Sequence, residues 1–282
     1  MGANIKAIRA RIKSVDSTRH ITKAMELVAS SKVKRAGAKM ERSRFYRNIM
    51  LDAFADLAGE GGYYSVTRLR TLPALYIIVS GDRGLAGGYN NNIFRSSMTM
   101  LNPGDMVLPI GKRSVDYYKR QDKLKLVSDE FTSVENFSAE DSSKVAMLVK
   151  ELYDSEAIGA VNLISTKFVS MLSQMPDIIY LLPLEILHEK RVGGEQRESF
   201  VPEYEPGPEE VLQAVIPEYI SGVVFSSVAE SYASELAARR SAMDTATKNA
   251  DDMLDNLNLH YNRARQSAIT QEITEIVAGA NS

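Results

Sequence analysis

VVFSSVAESYASELAARRSAMDTATKNADDMLDNLNLHYNRARQSAITQEITEIVA (Val223–Ala278) contains neither proline nor glycine. Inside a helix proline costs about 3 kcal/mol and glycine about 1 kcal/mol relative to alanine, so this stretch is free to form one long helix. Its apolar and small residues recur at Met243, Ala246, Ala250, Met253, Leu257, Tyr261, Ala264 and Ala268, a spacing of the coiled-coil kind. Alanine at many of these positions lets a second backbone approach closely. A helix over residues 209–278 is on the order of 100 Å long at 1.5 Å per residue, with a bend expected near Pro217 and Gly222. The C-terminal coiled-coil segment is therefore assigned to residues 209–282.

The opposite end of the chain has the same punctuation. From Ala3 to Ala58 there is no proline and one glycine, Gly37. Three apolar phases run along it: Ile5, Ile8, Ile12 and Val15, then Ile21, Met25 and Val28, then Val33, Ala36 and Met40. Shifts between phases are expected to loosen a supercoil locally. This makes residues 1–58 an N-terminal coiled-coil helix. Two such helices flanking a globular middle pair most simply antiparallel. Charge agrees, since residues 1–50 hold thirteen Lys and Arg against three acids, and residues 209–282 hold five against eleven. Each exposed ion pair adds only about 0.2–1 kcal/mol.

All nine prolines lie between Pro73 and Pro217. LPALYIIVS (Leu72–Ser80), MVLPIG (Met106–Gly111), AIGAVNLISTKF (Ala157–Phe168) and DIIYLLPL (Asp177–Leu184) are short, dense apolar runs that read as buried strands. Ser96–Met100, Arg113–Gln121 and Ser142–Asp154 read as helices between them. Alternating strands and helices give an α/β layer with a mainly parallel sheet. The expected fold is a long antiparallel coiled coil of the terminal helices plus a central Rossmann-like α/β domain at 72–190, with a Gly-, Pro- and Glu-rich loop at 191–208.

Composition narrows the function. The chain has 282 residues, 44% of them hydrophobic and 25% charged, with a net charge of -2, so the molecule as a whole has no electrostatic bias toward nucleic acid or membrane. There is no cysteine, which removes disulfides, thiolate nucleophiles and cysteine-ligated metals. His20, His188 and His260 lie far apart, so a histidine metal site is not expected. MGANIKAIRARIKSVDS (Met1–Ser17) has charge but no apolar core of signal-peptide length. No run of about 18 apolar residues is available to span a bilayer. No elbow, zincin or Cys-His motif supplies catalytic groups. Asp251/Asp252 and Glu209/Glu210 are adjacent, point about 100° apart on a helix, and serve solvation better than acid–base chemistry.

Three features invite a functional reading. Strand 72–80 runs into Gly81-Asp82-Arg83-Gly84-Leu85-Ala86-Gly87-Gly88-Tyr89-Asn90, placed where α/β folds bind nucleotide phosphates. The G-x-G-x-x-G and G-K-S/T fingerprints are missing, so a tight turn with positive φ and close backbone packing competes with the nucleotide reading. The basic N-terminal helix suits an acidic protein partner or a solvated coiled-coil face, and lacks the aromatic interleaving of a nucleic-acid binder. Ile269, Ile273, Ile276 and Val277 form an apolar tip with nothing in the chain obviously placed to cover it, which points to a socket in another molecule.

At these residues the chain resembles the gamma subunits of F-type ATP synthases of bacterial type. ITQEITEIVAGANS (Ile269–Ser282) is similar to the family's C-terminal signature: Ile-Thr-x-Glu, an acid three residues on, then Gly-Ala. HITKAMELVASSKVKRA (His20–Ala36), SGDRGLAGGYNNNI (Ser80–Ile93) and ESYASELAARRSAMDTATKNADDML (Glu230–Leu254) resemble its first helix, post-strand turn and last helix. Ala86 stands where many members have cysteine. The disulfide-bearing regulatory insertion of chloroplast members has no counterpart.

The resemblance implies a non-catalytic rotor shaft without cofactor or metal, peripheral on the cytoplasmic face of the bacterial membrane. It couples ion flow through a c-ring to the catalytic beta subunits. The paired helices would lie inside a ring of three alpha and three beta subunits. Arg265, Gln266, Thr270 and Glu272 fall where the family's shaft touches loops of beta. Lys23 and Met25 fall where the first helix meets beta's acidic lever. Ile276, Val277, Ala278, Gly279 and Ala280 would turn in an apolar sleeve, and the central domain would sit on the epsilon subunit and the c-ring. The alternatives are a coiled-coil scaffold with an α/β head, unrelated to rotation, and a nucleotide-dependent enzyme using the glycine turn.

Overall fold

The computed structural model describes residues 2–60, 72–183, 205 and 208–280. The elements in chain order are α1 (Gly2–Glu60), β1 (Ala74–Val79), α2 (Tyr89–Met98), β2 (Met106–Ile110), α3 (Lys112–Tyr118), β3 (Lys125–Leu126), α4 (Ala139–Asp154), β4 (Ala160–Phe168), β5 (Gln174–Leu182) and α5 (Pro208–Ala280). Apart from Glu205 and Pro208, the expected loop at 191–208 lies outside the described residues. The chain divides into two compact units, Met1–Ser31 with Arg239–Ser282 and Lys32–Ala238. Each long helix contributes to both.

In the unit Lys32–Ala238 the sheet order is β3-β2-β1-β4-β5. β1 pairs parallel with β2 and β4, β3 pairs parallel with β2, and β5 turns back antiparallel on β4. Strand alternation sends Leu75, Ile77 and Val79 to one face and Tyr76 and Ile78 to the other. The first face packs on Val145 and Val149 of α4, Tyr219, Ile220, Val223 and Val224 of α5, and Phe54 of α1. The second packs on Ile93 and Phe94 of α2 and Tyr118 of α3. Burial on both faces explains why β1 reads as a continuous apolar run. Fully burying one such side chain is worth about 1.5–3 kcal/mol.

Two local outcomes differ from expectation. α2 begins at Tyr89 rather than near Ser96; Asn90, Asn91 and Asn92, poor helix formers, mask the i, i+4 pair of buried Tyr89 and Ile93. β3 is two residues long, too short to show alternation. Pro217 and Gly222 both lie within a continuous α5. At Gly222 an added Cβ would lie 2.5 Å from Tyr46 Cε1, so a larger residue there would displace the Tyr46 ring. α4 starts with a reciprocal cap: Asp141 N–H donates to Ser138 Oγ (3.1 Å) and Ser138 N–H to Asp141 Oδ2 (2.9 Å).

The long helices pair antiparallel within each unit. In the unit Lys32–Ala238, Ala36 and Met40 pack on Ala233 and Leu236, and Phe54 stacks on Tyr219 with centroids 4.4 Å apart. In the other unit, Arg19 Nη1 meets Asp251 Oδ1 at 3.3 Å, and the Thr22 and Thr247 hydroxyls lie 2.8 Å apart. In the unit Met1–Ser31 with Arg239–Ser282 the α1 seam keeps one phase rather than two, with covered positions at 5, 8, 12, 15, 19, 22, 26 and 29, a heptad alternation. In the unit Lys32–Ala238 its covered positions include 33, 36 and 40. Arg19, Thr22 and Glu26 occupy seam positions, so a purely apolar reading sees a phase break there. On α5 the seam runs through Met243, Thr247, Ala250, Leu254 and Leu257, while Met253 is 45% exposed.

Candidate functional site

The glycine turn follows β1 at the switch point between β1 and β4, where open α/β sheets bind ligands. Here α5 fills that position. The Glu235 carboxylate lies so close to Gly81 that an added Cβ would meet its Oε1 at 2.7 Å. Tyr89 at the start of α2 donates its hydroxyl to Ser231 O at 3.0 Å, and burial pushes its phenol well above the ordinary tyrosine range. Gly81 N–H is taken by Asn90 Oδ1 at 2.9 Å. Asp82 turns the other way, accepting from Val134 N–H at 2.8 Å and Glu135 N–H at 3.3 Å. Positive φ falls at Leu85 (62°) and Gly87 (57°). The turn is a structural joint between sheet and helix, and the phosphate reading fails because protein side chains occupy the phosphate's place.

The other candidates lie on the long helices. In the unit Met1–Ser31 with Arg239–Ser282, Lys23 is exposed and paired with Glu26 at 2.9 Å, and Met25 is half-buried. Ile21 and Val28, which the sequence reading placed in the seam, face outward at 60% and 58% exposure, with Leu27 at 60%. They surround Lys23 in sequence and were missed as surface residues. Extending the Ile5–Val15 phase through polar residues would have found them.

Arg265, Gln266, Thr270 and Glu272 are all exposed. Thr270 Oγ1 donates to Gln266 O at 3.0 Å within the helix. The register set by Arg19–Asp251 and Thr22–Thr247 brings Gly2 opposite residue 267 or 268. Ala268 is the last half-covered residue, and Ile269 to Gly279 are exposed throughout. Ile273 is 57% and Ile276 70% exposed. Ile276, Val277, Ala278 and Gly279 thus stand beyond the covered seam, and Ala280 ends the helix. Among the described residues no group of three or more His, Cys, Asp and Glu is placed to hold a metal ion. No described helix is long and apolar enough to cross a membrane.

Comparison with known proteins gives this geometry a family. A family model described as ATP synthase matches residues 4–282. The ATP synthase gamma chain of Alkaliphilus metalliredigens is 40% identical over 292 residues, covering 99% of each chain. The sodium ion specific ATP synthase gamma chain of Acetobacterium woodii is 36% identical over 300 residues, covering 99% of each. A chain of the Euglena gracilis mitochondrial ATP synthase, solved as OSCP/F1/c-ring in rotational state 3, superposes with a TM-score of 0.69 at 19% identity, covering 100% of this chain and 95% of that one. At that identity the superposition speaks for the fold alone. With a model match over nearly its whole length and relatives of about 40% identity, the chain belongs to the ATP synthase gamma chain family.

Proposed function

We propose that the chain is the central rotor shaft of an F-type ATP synthase, itself without a catalytic site, coupling ion flow through a membrane c-ring to ATP synthesis or hydrolysis on the beta subunits. The observation that carries this reading is the free end of α5. A helix whose last eleven described side chains, 269–279, are all exposed, Ile269, Ile273, Ile276 and Val277 among them, has its apolar tip built for a partner. Three alpha and three beta subunits supply that partner as a ring. Ile276–Ala280 form the bearing, and Arg265, Gln266, Thr270 and Glu272 make the polar contacts to beta. Lys23 and Met25 meet an acidic lever of beta, and the exposed Ile21, Leu27 and Val28 add apolar contact area beside it. The α/β layer sits on the epsilon subunit and the c-ring, which holds the chain as a peripheral component at the cytoplasmic face of a bacterial membrane.

The mechanism follows from asymmetry. One shaft presents different faces to three identical beta subunits. It shifts their conformational populations only through its different affinity for each conformation, and rotation exchanges them. Mixing the chain with matching alpha and beta subunits tests this: co-elution and ATP hydrolysis are expected, with removal of residues 265–282 weakening both. Absence of co-elution with well-folded subunits would favour a scaffold unrelated to rotation.

Torque spread over exposed contacts worth roughly 0–1 kcal/mol each makes single substitutions mild. Gln266→Ala or Thr270→Ala is expected to retain at least about a fifth of the turnover, since each removes a contact of at most about 1 kcal/mol. Loss of coupling from either change in an assembled complex would show that torque is concentrated instead.

A further inference from the structure

Resting on the shaft reading above, we infer that a polar clamp centred on Glu230 is the grip by which the α/β layer turns the helix pair, so that Glu230, Arg44, Arg47 and Ser231 are positioning residues for torque. Glu230 of α5 is 2% exposed. Its Oε1 accepts from Arg44 Nη2 at 2.6 Å and from the Phe168 N–H at 3.0 Å, and its Oε2 accepts from Arg47 Nη1 at 2.7 Å. Arg44 also donates to Phe168 O at 3.1 Å. One residue on, Ser231 Oγ accepts the Thr166 N–H at 2.9 Å. Helix α1, helix α5 and the end of β4 are therefore bonded pairwise, α1 to α5, α5 to β4 and α1 to β4.

That closure matters because of what surrounds it. Below the clamp α5 meets the sheet through Tyr219, Ile220, Val223 and Val224 against Leu75, Ile77 and Val79. Apolar burial is non-directional, so it holds the helix on the sheet with little preference for its angle. Charge-assisted hydrogen bonds are directional and roughly twice as strong as neutral ones. Thr166 and Phe168 lie two apart on β4, so their N–H groups point to the same edge of the strand. Residues 230 and 231 lie about 100° apart around α5. Twisting α5 about its axis, or sliding it along β4, lengthens bonds on both sides of the helix at once. None of these residues belongs to the surface proposed to meet beta, so the grip acts between the layer and the shaft and leaves the nucleotide sites untouched.

The test uses the complete ATP synthase carrying this chain, in vesicles, with ATP hydrolysis and ATP-driven transport of protons and of sodium ions both measured. In Glu230→Gln, hydrolysis without an opposing gradient is expected within about twofold of the parent. Ions moved per ATP against a gradient are expected to fall at least about threefold, because the amide loses the negative charge and keeps one acceptor oxygen for the donors that two now share. A readout that fold stability alone does not move is torsional stiffness. With the helix tip held in the alpha/beta ring, the angular spread of a probe on the α/β layer should widen at least about twofold when the directional bonds are weakened. Ser231→Ala leaves the ion cluster intact and gives a smaller change of the same sign. It carries the test by the same readouts if Glu230→Gln fails to fold. Unchanged angular spread and unchanged ions per ATP would overturn the grip. A parent complex that neither hydrolyses ATP nor transports ions would instead overturn the shaft reading and this inference with it.

Discussion

Glu230→Ala is expected to lower the unfolding free energy by about 3–5 kcal/mol, because removing one partner of a buried ion cluster strands the others. Arg47 keeps only 11% side-chain exposure and Arg44 33%, so neither guanidinium regains full hydration when the carboxylate goes. Phe168 N–H loses its acceptor as well. Denaturant melts of the isolated chain read the loss as a lower midpoint, and a change below about 1 kcal/mol would mean the cluster is far better hydrated than its burial implies. The pH dependence has a defined sign. Burial by itself raises the Glu230 carboxyl, but the Arg47 charge and hydrogen bond, the Phe168 N–H and Arg44 outweigh it and hold it below the ordinary glutamate value of 4.5. A folded-state value lower than the unfolded one stabilises fully above the unfolded value and is lost as pH falls through the folded one. The parent should therefore lose stability on acidification below about pH 4.5 more steeply than Glu230→Gln, which has no such proton to take up.

The second large effect is expected at Gly111, with a control built into the same protein. Gly111 and Gly104 both have φ of 95°, a conformation that costs a side-chain-bearing residue about 1–3 kcal/mol. Around Gly104 an added Cβ meets nothing within 4 Å, whereas at Gly111 it would drive into the backbone carbonyl of Ser80 and lie 2.8 Å from Val134 Cγ2. Ser80 is held in place by its own N–H bond to Ile110 O at 3.0 Å, and Gly111 N–H bonds Phe131 O at 2.8 Å. The carbonyl has no free direction in which to yield. Gly104→Ala should cost the strain alone, and Gly111→Ala the strain plus a further 1–3 kcal/mol or so of overpacking. Equal thermal shifts for the two variants would show that the end of β2 can move away from β1.

The proline- and glycine-free ends, the apolar runs of β1, β2, β4 and β5 and the bare apolar tip at Ile273 and Ile276 were legible in the sequence. Propensity and periodicity are carried by neighbouring residues and need no knowledge of partners. The helical phase through residues 19–26 was not legible. Arg19, Thr22 and Glu26 take seam positions because α5 offers Asp251 and Thr247 opposite the first two, and an apolar count passes over them. An apolar count therefore turns Ile21 and Val28 inward, whereas the fold leaves both exposed. The glycine turn was ambiguous for a related reason. Its sequence permits either a phosphate or a protein side chain, and only the arrival of Tyr89, Ser231 and Glu235 at one place decides for the latter. Glu230 gave no signal at all, since its partners Arg44, Arg47 and Phe168 are 186, 183 and 62 residues away. The sequence by itself determined the two long helices and the four longer strands, because those preferences are local. Tertiary structure decided which polar groups are buried together, because desolvating a charge is tolerable only where folding brings its counter-charges within hydrogen-bond reach.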